Sequence, residues 1–206
     1  MLARTSTGEV TDSRRESRNN AIKVVLAMAL VMWLAEIFDA VASNDLDRYG
    51  IQPRDADGLV GIPASPFLHS GFDHLISNTV PFLILGCVIA LNGLLRVLAV
   101  TAIVALVGGL GTWLVAPGDT IHIGASGIVF GYATYLIVRG VFDRSALELA
   151  LGVIVALVLG GTLLTGLVPH TGISWQGHLF GALGGIVAAR VLAPKRPAAA
   201  GRPASL

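Results

Sequence analysis

Four polar side chains in this sequence have the types and spacing needed for serine–histidine chemistry. Ser126 lies in "HIGASGIVFGY", at the start of a long apolar run, and His178 lies in "GISWQGHLFGALGG". Serine becomes an effective nucleophile when a neighbouring base takes its proton, and histidine is the usual base. His74 and Asn78 in "HSGFDHLISN" are four residues apart and therefore share one helix face. They are candidate donors to the oxyanion that forms when a serine attacks a carbonyl group.

The composition indicates that these residues lie in a polytopic membrane protein. Of the 206 residues, 54% are hydrophobic and 13% are charged, and the mean hydropathy is +0.75. A soluble domain usually has about 25% charged residues. The net charge of +1 does not bear on nucleic-acid binding, but no basic stripe with interleaved aromatic residues is present, and nucleic acid is therefore not expected as a partner. The single cysteine, Cys87, cannot form an internal disulfide.

Six apolar runs predict an all-α bundle of six transmembrane helices, because each run has close to the ~20 residues that cross the bilayer core. The runs cover residues 21–43, 72–91, 94–115, 124–141, 146–168 and 173–192. The bundle core is predicted at residues 21–193, between disordered cytoplasmic tails at 1–20 and 194–206. The first loop, residues 44–71, is long, and its apolar content favours a segment that enters the membrane edge.

The distribution of basic residues predicts that both termini are cytoplasmic. With six crossings, one side of the membrane collects Arg4, Arg14, Arg15, Arg18, Lys23, Arg96, Arg139, Arg144, Arg190, Lys195, Arg196 and Arg202. The opposite loops contain few basic residues, namely Arg48 and Arg54, which lie beside several aspartates. In this orientation the second, fourth and sixth spans all enter from outside. The serine, the histidines and the asparagine of these spans then lie at a similar depth near the outer surface.

Glycine spacing predicts that the fourth and sixth spans cross closely, because small residues at every fourth position let two helix backbones approach. The glycines concerned are Gly127 and Gly131 in the fourth span and Gly177, Gly181 and Gly185 in the sixth. Ser126 and His178 are each next to one of these glycines in sequence. A close crossing is therefore expected to bring the Ser126 hydroxyl within reach of the His178 imidazole.

These motifs resemble those of the rhomboid intramembrane serine proteases over all six spans. "GASG" at residues 124–127 is similar to the family's G-x-S-G nucleophile motif. "GHLFGALGG" at 177–185 is similar to its histidine motif, and "HSGFDHLISN" at 69–78 to its second-helix motif. The resemblance implies a six-helix rhomboid fold and a multi-pass protein of a bacterial plasma membrane. It also implies cleavage of transmembrane protein substrates in or next to their membrane segments, without a cofactor or metal.

The resemblance also assigns roles to individual residues. It makes Ser126 the nucleophile and His178 the general base, without an aspartate. It places His74, Asn78 and the Ser126 backbone N–H in the oxyanion hole. The supporting positions are His69, Gly124 in the oxyanion loop, Gly127 in the helix contact, and Phe130, where many members have a tyrosine stacked on the histidine. The Trp-Arg pair common in the first loop of the family is absent, and "GIPASPFLH" stands in its place.

Three other functions remain as alternatives. The first is a non-catalytic rhomboid-like protein that binds membrane clients, although such relatives usually lack the serine or the histidine. The second is a zinc site formed by histidines of the outer side. The absence of an H-E-x-x-H motif argues against it. The third is a transporter, but no inverted repeat is evident. His122 and His170 are expected to be solvated loop residues, and Glu36 and Asp39 to have structural roles.

Overall fold

The computed structural model describes residues 5–41, 46–170 and 172–194, and this part of the chain is helical. Its helices are α1 (Thr5–Val41), the single turn α2 (Gly61–Ala64), α3 (Phe72–Ala90), α4 (Leu94–Val115), α5 (Ser126–Asp143), α6 (Ala146–Gly166) and α7 (Trp175–Val191). The only β-type pairing in these segments is an isolated antiparallel bridge between Ile51 and His122. The prediction of an all-α fold is confirmed.

Four of the long helices have the length and apolar composition required to cross a membrane. They are α3, α4, α6 and the part of α1 from Val10 to Val41. The other two long helices do not meet both conditions. α5 is less apolar, because it contains Arg139 and Asp143, and α7 is shorter, with 17 residues. Together the apolar helices make the chain an integral membrane protein with a helical bundle fold.

The N-terminal segment is part of a helix, so the prediction of a disordered tail is wrong for residues 5–20. α1 extends back to Thr5 without a break. The segment contains no proline, and extending an existing helix avoids the unfavourable nucleation step. Ser17 also fixes the extension to the bundle, since its Oγ accepts a hydrogen bond of 3.1 Å from the Leu94 backbone N–H. The predicted C-terminal tail lies outside the described residues except for Pro194.

The described part of the first loop is a series of short turns packed on the bundle. Its anchoring uses an arginine and a tryptophan that are far apart in sequence. Arg54 Nη1 donates to the carbonyl of Ala116, at 2.6 Å, beyond the C-terminal end of α4. Trp113 Nε1 in α4 donates to the Asp55 carbonyl at 2.8 Å. Carbonyls at a helix C-terminus lack intrahelical partners and favour a positive charge, so Arg54 holds the loop against the end of α4.

α5 and α7 cross with their backbones in direct contact, as the glycine spacing predicted. A Cβ atom on Gly181 would overlap the Gly127 carbonyl, and one on Gly185 would overlap the Gly131 carbonyl. Thr134 in α5 adds a hydrogen bond of 2.8 Å from its hydroxyl to the Ala182 carbonyl in α7. The first residues of both helices are therefore held in a fixed relation to each other.

A buried ionic cluster fastens α5 to α6 at the end opposite to Ser126. Arg139 Nε donates to Asp143 Oδ2 at 2.9 Å, and its Nη2 lies 3.0 Å from Glu148 Oε1 in the first turn of α6. Nη2 also donates to Asn92 Oδ1, at 2.9 Å, in the turn between α3 and α4. These contacts tie three segments together at that end of the bundle.

Candidate active site

A glycine turn places Ser126 at the first position of α5. Gly124 has a φ of +111°, a conformation that side chains with a Cβ rarely adopt. Its backbone N–H donates to the Ser65 carbonyl at 2.8 Å, which holds the turn against the first loop. A Cβ at this position would lie 2.7 Å from Cε1 and 2.8 Å from Nε2 of His74. Glycine is therefore required here both for its backbone angle and for the approach of the His74 ring.

The Ser126 hydroxyl and the His178 imidazole are in hydrogen-bond contact. Ser126 Oγ lies 2.8 Å from His178 Nε2, and His178 Nδ1 lies 2.7 Å from the Gly166 carbonyl oxygen. A carbonyl can only accept, so Nδ1 carries the ring proton in the neutral imidazole. Nε2 is then unprotonated and accepts from the serine hydroxyl, which is the arrangement a general base needs.

Two further groups fix the plane of the His178 ring. The Phe130 ring stacks on it with centroids 4.1 Å apart and an interplanar angle of 9°. Gly166, at the end of α6, approaches closely: a Cβ there would lie 2.5 Å from Phe130 Cζ and 3.1 Å from His178 Nδ1. The stacking predicted for position 130 is therefore present, and the imidazole is restrained on its face as well as at both nitrogens.

His74 and Asn78 line the same open cavity as Ser126 and His178, with a volume of about 760 Å³. His74 Nδ1 lies 3.3 Å from Ser70 Oγ. Asn78 Nδ2 donates one hydrogen to the His74 carbonyl at 2.8 Å. An amide nitrogen has two hydrogens, so the second remains for another acceptor. The four residues singled out in the sequence therefore share one cavity.

Comparison with known proteins places the chain in a family. The Rhomboid domain family matches residues 57–195. The chain belongs to the rhomboid family. An uncharacterized protein of Mycobacterium tuberculosis is 44% identical over 186 residues, covering 85% of this chain and 77% of that protein. A Mycobacterium leprae protein is 42% identical over 182 residues, covering 84% and 72%. The Bacillus subtilis "Putative rhomboid protease YdcA" is 30% identical over 121 residues, covering 58% and 60%.

In this rhomboid, His69 supports the turn before Ser126 and does not line the cavity. Its Nε2 accepts a hydrogen bond of 3.3 Å from the Ala125 backbone N–H. Its ring meets that of His74 edge to face, with centroids 5.2 Å apart. Burial, assisted by His74, lowers the pKa of His69 to about 4. His69 is therefore neutral near pH 7, and Nε2 is free to accept.

His122 is buried and bonded at both ring nitrogens, so the expectation that it is a solvated loop residue is wrong. Its Nδ1 lies 2.7 Å from Ser174 Oγ, and its Nε2 lies 2.8 Å from Thr120 Oγ1. The other loop histidine, His170, is exposed as expected. A sequence signal for His122 existed: it precedes Ser126 by four residues, and Ser174 precedes His178 by four residues.

The buried acidic residues near the C-terminal end of α1 belong to the scaffold of the rhomboid. Asp39 Oδ1 accepts from the Leu46 backbone N–H at 2.7 Å and so shapes the start of the described first loop. Glu36 is buried nearby.

At His178 the second ring nitrogen meets a backbone carbonyl and not a carboxylate. Within the described segments, no group of three or more His, Cys, Asp or Glu side chains is arranged to hold a metal ion.

Proposed function

We propose that this rhomboid is an intramembrane serine endopeptidase that cleaves peptide bonds in or next to the transmembrane segments of membrane-protein substrates. The observation that carries the proposal is the 2.8 Å contact between Ser126 Oγ and His178 Nε2, with Nδ1 held by the Gly166 carbonyl. Membership of a family rich in intramembrane proteases supports the same reaction. No cofactor is required, because the nucleophile and the base are both side chains of the protein.

The reaction proceeds by two acyl transfers. His178 Nε2 takes the Ser126 proton as Oγ attacks the scissile carbonyl carbon, and a tetrahedral oxyanion forms. The imidazolium is stabilised at Nδ1 by the Gly166 carbonyl, and it then gives its proton to the leaving amine as the C–N bond breaks. Water from the cavity hydrolyses the acyl-enzyme by the same steps, with His178 again as the base. The serine and the histidine are returned to their starting state.

The oxyanion is stabilised by donors around the head of α5. The Ser126 backbone N–H lies at the first position of the helix, where N–H groups have no intrahelical partner. Asn78 has one amide hydrogen available, and His74 lines the cavity next to Gly124. We assign the oxyanion hole to these three groups.

Asn78→Ala should lower kcat by about ten- to a thousand-fold and leave KM nearly unchanged, because an oxyanion donor acts mainly in the transition state. Ser77→Ala is the matched control, since Ser77 Oγ donates to the same His74 carbonyl at 2.8 Å as the Asn78 amide does. Kinetics on a transmembrane substrate in liposomes measure both variants. Equal losses in the two variants would show that Asn78 contributes only helix hydrogen bonding.

The topology we propose has six crossings, with both termini in the cytoplasm of a bacterium and the cavity open to the outer side. The positive-inside rule supports it, since the basic residues cluster on the side opposite to Ser126. Substrate enters sideways from the lipid beside α6. That helix is the most exposed of the apolar helices, with Leu157, Val158 and Leu164 facing outward.

A membrane-impermeant fluorophosphonate probe tests the proposed activity and the topology together. Right-side-out vesicles should be labelled at Ser126, inside-out vesicles should not, and Ser126→Ala should remove the label. Labelling of inside-out vesicles alone would contradict the proposed orientation and would still support the proposed activity. Absence of labelling in folded, detergent-solubilised protein, together with no cleavage of any transmembrane substrate, would contradict the protease assignment.

A further inference from the structure

A second serine–histidine contact joins the same two segments as the contact between Ser126 and His178. His122 lies four residues before Ser126, and Ser174 lies four residues before His178. His122 Nδ1 and Ser174 Oγ are 2.7 Å apart. In this contact the histidine comes from the nucleophile's segment and the serine from the base's segment, the reverse of the arrangement at Ser126.

The surrounding bonds determine which atoms of this contact donate. The Thr120 hydroxyl donates to the Pro117 carbonyl at 2.6 Å, so its oxygen accepts from His122 Nε2–H. His122 Nδ1 is then unprotonated and accepts the Ser174 hydroxyl hydrogen. Ser174 Oγ in turn accepts the Gly177 backbone N–H at 3.3 Å. Burial lowers the pKa of His122 and favours this neutral form.

Ser174 controls the first turn of the helix that carries His178. It is the N-cap of α7, where its side chain accepts from the Gly177 N–H. Its carbonyl accepts the His178 backbone N–H at 3.1 Å. An N-cap side chain stabilises the first helical turn by accepting one of its free N–H groups. A displacement of Ser174 therefore moves the base directly.

His122 is fixed to the rest of the outer region through its backbone. Its N–H donates to the Ile51 carbonyl at 3.0 Å, and its carbonyl accepts from the Ile51 N–H at 2.9 Å. The first loop that contains Ile51 is itself held to α4 by Arg54. His122 therefore connects a fixed part of the outer region to the N-cap of α7.

We propose that His122 is a positioning residue, which holds the N-cap Ser174 and thereby keeps His178 Nε2 in reach of the Ser126 hydroxyl. The role rests on the proposed protease function, because it acts through the base. The ring nitrogens of His122 bond to Thr120 and Ser174 and not to Ser126 or His178, so its effect on the base passes through the first turn of α7.

Two amide variants separate the two hydrogen bonds of the ring. His122→Asn retains an oxygen near the Nδ1 position and keeps an acceptor for Ser174, whereas His122→Gln retains a polar group near Nε2 and loses that acceptor. His122→Gln should lower kcat about 10- to 100-fold with little change in KM, since a displacement of about 1 Å has effects of this size. His122→Asn should stay within about threefold of wild type on the same reasoning. In a Ser174→Ala background, His122→Gln should cause no further loss.

Hydrogen–deuterium exchange gives a readout that does not depend on catalysis. His122→Gln should increase exchange at the Gly177 and His178 amides, which donate to Ser174, and His122→Asn should not. Wild-type kcat for His122→Gln, or equal effects of both variants on kcat and exchange, would overturn the positioning role. An inactive wild-type protein would overturn the protease function instead, and the exchange data would still decide whether His122 holds the cap.

Discussion

Ser126→Ala should lower the rate of cleavage of a transmembrane substrate by on the order of 10⁴-fold or more, while the protein remains folded. The substitution removes the hydroxyl oxygen in contact with His178 Nε2 and leaves a small residue at the first position of α5. His178→Ala should have an effect of similar size, because the hydroxyl then has no base. The double variant should be no slower than the slower single variant, since the two side chains act as one unit.

Cleavage of one substrate in liposomes gives the rates, and thermal unfolding in detergent verifies the fold. His170→Ala is the matched control for the histidine, because His170 lines the same cavity but is exposed. It should cleave at nearly the wild-type rate. A wild-type rate for Ser126→Ala would refute the nucleophile assignment, and a loss in His170→Ala as large as that in His178→Ala would refute the base assignment.

The arrangement around Ser126 was predictable from sequence because it depends on helix periodicity and depth. Ser126 and His178 each lie near the start of an apolar run and beside a glycine of the four-residue repeat. Helices have a regular rise and period, so these facts place the two side chains near one crossing without knowledge of any loop. Helix periodicity does not identify Gly124, because its φ of +111° is a property of the local turn. Only the resemblance of "GASG" to the family motif predicts a role for it.

The elements that could not be predicted depend on loop conformation or on contacts between distant residues. His122 is hydrogen-bonded to Ser174, which is 52 residues away in sequence, and Arg54 to the Ala116 carbonyl, which is 62 residues away. Neither segment has a period that fixes its path, so residue type alone predicts a solvated side chain for His122. The extension of α1 is unpredictable for another reason: a polar composition indicates disorder, whereas Ser17 bonds to the start of α4 and stabilises the helix.

The crossing of α5 and α7 gives the second large expected effect, at Gly181. A methyl group there would overlap the Gly127 carbonyl and lie 3.0 Å from the Gly127 Cα. Gly108 of α4 packs on the other side, where its own Cβ would lie 3.3 Å from the Gly181 Cα. The obstructing atoms belong to backbones, which cannot rotate away as a flexible side chain can. Gly181→Ala must therefore push α7 away from α5.

Gly181→Ala should lower the free energy of unfolding by about 1–3 kcal/mol, the range for overpacked cores. It should slow cleavage by about 100-fold or more, because Gly127 follows Ser126 directly and a shift of ~1 Å breaks the contact with His178. Thermal unfolding and the rate of fluorophosphonate labelling measure the two effects. If Gly181→Ala does not fold, Gly127→Ala provides a milder displacement of the same crossing, because a Cβ there would lie 3.2 Å from the Gly177 carbonyl oxygen.

Gly160→Ala in α6 is the control for Gly181→Ala, because a Cβ there meets no atom within 4 Å. The same change in a helix interior without a steric obstacle should be neutral or stabilise by up to about 1 kcal/mol. The two variants differ only in whether the added methyl group meets another backbone. If they unfold and react alike, the approach of α5 to α7 does not hold Ser126 and His178 together. If only Gly181→Ala loses both stability and labelling, helix separation sets the reactivity of the serine.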